Sequence, residues 1–170
     1  YALTAQVDRL AAEAEGKPFQ VSAEVRSKAP QVAEDETALY QSRQRRLGSE
    51  KQTLNEQLRQ KTQELAEFRS KLEQYRSGLA LLQQELDMST PLVKTGAISP
   101  VEILRLKRNA VEARGSMNAT SLAIPRAEAA VAEIRSKIEE TDASFRSEAA
   151  KELNEKRTDL SKICLLYTSD

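Results

Sequence analysis

Between Leu47 and Leu86, apolar side chains return at alternating intervals of three and four residues. One position of the repeat carries Leu58, Leu65, Leu72, Leu79 and Leu86. The other carries Leu47, Leu54, Phe68, Tyr75 and Leu82, with Lys61 its one charged interruption. Such a seam is buried only when a second helix lies along it, so the pattern demands a coiled coil. The partner lies in the same chain: a stripe of the same period runs from Ile103 through Leu106, Ala110, Met117, Ile124 and Val131 to Phe145.

The link between the two stripes is short and carries its own stop and start signals. Gly96, within Lys94-Thr95-Gly96-Ala97-Ile98, suits a left-handed C-terminal cap. Ser99-Pro100-Val101-Glu102 then supplies an N-cap serine, a proline at the first helical position and a glutamate at the third, the pattern of a capping box. A link this short makes the helices antiparallel. Pro125 removes one backbone bond, but the stripe continues on both sides of it, so the helix is expected to bend there without ending. A register centred on Gly96 sets Leu86 opposite Leu106, Leu82 opposite Ala110, Leu65 opposite Ala127, Phe68 opposite Ile124 and Leu58 opposite Ile134. Both stripes contain a step of eight residues, Leu39 to Leu47 and Phe145 to Leu153, at mirrored positions, which supports that register.

The expected fold is therefore all-α, a long antiparallel two-helix coiled-coil hairpin preceded by a short helix. Residues 1–15 form that short helix, with Leu3, Val7, Leu10 and Ala14 on one face. Residues 16–30 are read as a loop on the strength of Gly16, Pro18 and Pro30, and residues 31–162 as the hairpin, its tip near 88–101. The register leaves the first helix without a partner, so it is expected to be loosely held. Tyr1 to Val7 opens inside a helical pattern, and residues 163–170 abandon the preceding one and look like translated adapter sequence, so the chain is read as a segment of a longer protein.

Composition narrows the function. Twenty-six basic residues balance 26 acidic ones, which argues against nucleic-acid binding through a basic field. No His is present and the single Cys has no partner, so neutral-pH acid–base catalysis and the usual zinc or copper sites lack their residues; no cofactor, metal or catalytic residue is expected. Glu34-Asp35-Glu36, Glu139-Glu140 and the Arg43, Arg45, Arg46 cluster read as solvated helix faces. The informative place is the tip. Pro91, Leu92, Val93, Ala97, Ile98 and Val101 gather apolar side chains at the end of two helices, where nothing lies beyond to cover them. Leu92, Val93, Gly96, Ile98 and Ser99 are the candidate partner-binding residues.

The segment Pro91-Leu92-Val93-Lys94-Thr95-Gly96-Ala97-Ile98-Ser99, with Val101-Glu102-Ile103-Leu104-Arg105-Leu106, resembles the hairpin tip of HlyD-type membrane fusion proteins. Leu122-Ala123-Ile124-Pro125-Arg126-Ala127, Glu152-Leu153-Asn154-Glu155 and Glu13-Ala14-Glu15-Gly16-Lys17-Pro18-Phe19 are similar to the same family. The resemblance implies a periplasmic adaptor of type I protein secretion, anchored to the inner membrane by regions outside this segment. It further implies a homo-oligomer, commonly a hexamer, whose tips dock a TolC-like outer-membrane channel and whose other end engages an ABC transporter. Related adaptors carry an Arg, Leu and Ser triad at the tip; Leu92 and Ser99 match two members, and Met88 stands at the arginine position. The alternative is a structural or chaperone-like coiled-coil arm of a cytoplasmic protein, in which the apolar tip residues only close the turn.

Overall fold

A computed structural model describes residues 1–167. Helix α1 covers Ala2–Glu15, α2 Ala23–Lys28, α3 Pro30–Ser89 and α4 Pro100–Tyr167, with a single 3-10 turn at Thr90–Val93 between the last two. No strand occurs among the described residues, and no helix among them is long and apolar enough to cross a membrane. The long helices form the expected hairpin, and α4 runs unbroken through Pro125. It also continues past Lys162 to Tyr167, since Ile163, Cys164 and Leu165 offer no glycine or proline to stop it; residues 168–170 of the tail lie outside the described residues.

The chain divides into two compact units, a tip unit of residues 57–134 and a terminal unit made of residues 1–56 with residue 135 onward. The tip unit follows the expected register. Leu86, Ile103, Leu106 and Ala110 are buried together, with Leu79, Leu82, Val93 and Ile98 packed on them. A second cluster joins Leu65, Ala127 and Val131, with Leu58, Phe68 and Ile124 against it. Residues equidistant from Gly96 thus share a cluster, and Arg69 reaches across the seam to Glu128 at 2.7 Å. Both partners of that pair are well exposed, so it adds about 0–1 kcal/mol.

The terminal unit departs from expectation in three ways. First, the presumed loop contains α2. Ser22 caps it by accepting from the Val25 amide at 3.4 Å, and Val25 is fully buried with Ala5 of α1 and Ala33 of α3. The two prolines that suggested a loop flank this helix rather than interrupt it, and Pro30 takes the first position of α3, where its missing N–H is no loss.

Second, α1 is firmly docked. Its buried residues are Ala5, Arg9, Leu10 and Glu13, so the inward face is turned away from the Leu3, Val7, Ala14 line. Ala5 shares a cluster with Ala33, Arg9 bonds Glu36 and Glu13 pairs with Arg43; these partners rise together in sequence, so α1 runs parallel to α3. Third, Leu39 is 43% exposed although Leu153, its expected partner, is buried. The inward positions of α3 are Ala33, Glu36, Tyr40, Arg43 and Leu47, an uninterrupted three–four alternation in which charged residues occupy core sites. The eight-residue step survives on α4, where Phe145, Ala149 and Leu153 are all buried, but α3 has none.

Candidate functional site

The tip is built by local backbone rules. After the 3-10 turn the chain reverses at Gly96, φ 74°, a left-handed conformation that favours glycine. The Gly96 amide donates to the Val93 carbonyl and the Ala97 amide to the Leu92 carbonyl, each at 3.1 Å, the paired bonds of a Schellman motif. Thr95 Oγ1 donates to the Leu92 carbonyl at 2.9 Å, so Leu92 O accepts twice and residue 92 is fixed from both sides.

This geometry divides the five candidate residues. Val93 and Ile98 turn inward onto the Leu86–Leu106 cluster and close its last layer. Leu92 turns outward and is 42% exposed, and Gly96 and Ser99 are exposed beside it. Ser99 Oγ accepts from the Val101 amide at 3.2 Å, which leaves the hydroxyl hydrogen for a second partner. Ser99 thus caps through the second helical residue. The Glu102 amide donates to the Ser99 carbonyl at 3.0 Å, and the reciprocal pair of the expected capping box does not form. Glu102 is engaged by Arg105, whose Nε donates to it at 2.9 Å, and this bond holds the Glu102 carboxyl below the ordinary carboxylate range. A guanidinium one turn along offers a charge-assisted partner that the Ser99 amide cannot match.

Met88, at 67% exposure, and Val101, at 72%, extend the apolar surface that Leu92 begins. A second feature was absent from the sequence reading. Val101, Leu104, Val111 and Leu122 of α4 are all exposed, each two residues before a seam position, and Leu81 and Met88 of α3 are exposed two residues after one. The signal was present as apolar residues at a fixed offset from the stripe. The charged clusters also sort differently from expectation: Glu36 is buried on Arg9 and Arg43 faces inward, while Arg45 and Arg46 remain solvated. Among the described residues no group of His, Cys, Asp or Glu side chains is placed to hold a metal ion.

The backbone is that of known proteins. The crystal structure of the soluble domain of LipC, a membrane fusion protein of a type I secretion system, superposes with a TM-score of 0.85 at 21% identity, over 95% of this chain and 79% of that one. No curated protein matches the sequence. The family model of AprE, long alpha-helical hairpin, matches residues 1–165. With that match spanning nearly all of its 170 residues, the chain belongs to the AprE long alpha-helical hairpin family.

Proposed function

We propose that this chain is the hairpin segment of a periplasmic adaptor, a membrane fusion protein that bridges an inner-membrane ABC transporter to a TolC-like outer-membrane channel in type I protein secretion. The role is one of assembly, not catalysis. The observation that carries the reading is the exposed Leu92 beside Ser99, apolar surface fixed in place by the backbone at a turn where folding leaves it uncovered. Family membership and the type I secretion role of LipC support it. Leu92 is the apolar anchor of the channel contact, and Ser99 combines cap and hydrogen-bond donor. Leu92→Asp places a charge in a desolvated contact without touching the seam, so export is expected to fail while the helical signal is unchanged. A cysteine at position 92 is expected to crosslink to the channel in cells. Normal export by Leu92→Asp together with no crosslink would return the chain to a coiled-coil arm whose tip is only a turn.

The adaptor acts as a homo-oligomer through the exposed stripes. Around the α3 stripe, Glu73, Glu85 and Asp87 outnumber Lys71 and Arg76; around the α4 stripe, Arg105, Lys107, Arg108 and Arg114 outnumber Glu102 and Glu112. The α4 face of one copy therefore suits the α3 face of the next in charge as well as in apolar pattern. Leu104→Glu with Val111→Glu is expected to abolish self-association in sedimentation velocity. Unchanged association of this double variant would exclude the face.

A further inference from the structure

The terminal unit holds α1 by charge as much as by apolar contact. Arg9 Nε donates to Glu36 at 2.7 Å, and Arg9 Nη1 to both oxygens of Glu13 at 3.1 and 3.2 Å. Arg43 Nε lies 3.3 Å from Glu13, close enough for an ion pair but too poorly aligned for a hydrogen bond. Its terminal nitrogens bond Glu152 at 3.2 to 3.3 Å, and its guanidinium lies 5.7 Å from the centre of the Phe145 ring. The result is a continuous line, Glu36–Arg9–Glu13–Arg43–Glu152, crossing α3, α1 and α4. Two guanidiniums serve three carboxylates. The middle one, Glu13, is the most deeply buried, at 1% exposure, and is the one that charge pairing does not require: without its charge, Arg9 keeps Glu36 and Arg43 keeps Glu152.

We propose that this line of charges is a pH-governed latch on α1, whose hold weakens as Glu13 loses its proton. Burial pushes the Glu13 carboxyl above its ordinary range, outweighing Arg9 and Arg43, which pull it down; Glu152 adds to the rise. The docked form therefore binds the proton more tightly than the undocked one, so stability is greatest with Glu13 protonated and falls as pH rises through the raised value. The other groups near Glu13 are engaged or peripheral. In the adjoining cleft Lys17 pairs with Glu15, Lys51 with Asp142 and the Tyr40 hydroxyl with the Lys17 carbonyl, while Arg146 of α4 lies against Gly16.

Native-state amide exchange of the full chain tests the latch. From about pH 5 to about pH 8 the opening constant of amides 3–12, corrected for intrinsic rates, is expected to rise and then level off. Amides 103–110, far from any of these charges in sequence, serve as the unchanging reference. The NMR titration midpoint of the Glu13 carboxyl carbon is expected to coincide with the midpoint of the opening curve. Glu13→Gln should abolish the slope, and Glu36→Gln, which leaves Glu13 as the remaining counter-charge of Arg9, should shrink it and move the Glu13 midpoint down. A flat wild-type profile, a slope that survives in Glu13→Gln, or two midpoints that differ would each overturn the proposal. The midpoint comparison holds even if Glu13→Gln releases α1 at every pH.

Discussion

Two glycines terminate helices in this chain by the same motif, and their surroundings separate two contributions to stability. At Gly16, φ 68°, the Gly16 amide donates to the Glu13 carbonyl and the Lys17 amide to the Ala12 carbonyl, repeating the bond pattern found at Gly96. A Cβ at Gly96 meets nothing, so Gly96→Ala carries only backbone strain, about 1–2 kcal/mol. A Cβ at Gly16 would stand 2.8 Å from Arg146 Nη2. That guanidinium sits over the C-terminal end of α1, where a cation complements the helix dipole by about 0.3–1 kcal/mol. Gly16→Ala is therefore expected to destabilise more than Gly96→Ala in urea unfolding, by that smaller amount. In an Arg146→Ala background the excess should vanish. An excess that persists would assign the effect to something other than the displaced guanidinium.

At the scale of elements, what the sequence makes legible depends on which residue types fill the seam. The tip unit uses Leu, Ile, Val, Phe and Ala at nearly every seam position, so its register, the glycine turn and the Ser99 start all follow from spacing alone. In the terminal unit the seam positions of α3 include Glu36 and Arg43, which an apolar pattern skips. Skipping them shifts the stripe onto Leu39 and creates an eight-residue step that α3 does not have. The same substitution of charge for bulk hides the docking of α1, whose inward face alternates Ala5 and Leu10 with Arg9 and Glu13. A buried ion pair leaves no hydrophobic period, and only the matching of Arg9 to Glu36 and Glu13 to Arg43 in three dimensions exposes it. Helix α2 was missed for a different reason. Six residues are too few for a period, and its cap and its one buried valine are meaningful only once α1 and α3 form a wall for Val25. At the tip, spacing located the apolar group and the family resemblance singled out Leu92 and Ser99. The outward turn of Leu92 and the inward turn of Val93 differ by one backbone step and follow from the structure.

At the scale of the whole molecule, the described residues do not share a single core. Among them three separate clusters of buried apolar side chains form, two in the tip unit and one in the terminal unit, while Leu10, Phe145, Ala149 and Leu153 are buried in the terminal unit outside them. With 4% aromatic residues there is little bulk to join them, and a two-helix seam leaves both of its edges open to water. Damage should therefore stay local. Leu106 is the most buried member of the cluster nearest the tip, packed with Leu86, Ile103 and Ala110. Truncating a buried leucine to alanine costs about 2–5 kcal/mol, and a seam that water can reach from the side belongs near the lower end, about 2 kcal/mol. Leu106→Ala is accordingly expected to speed amide exchange through residues 79–110, whose side chains share that cluster. Amides 5–13, held by Val25, Ala33 and the Arg9 and Glu13 ion pairs, should keep their wild-type rates. Exchange that accelerates equally in both segments would mean that the clusters open together, and the chain would then be one cooperative unit despite its divided core.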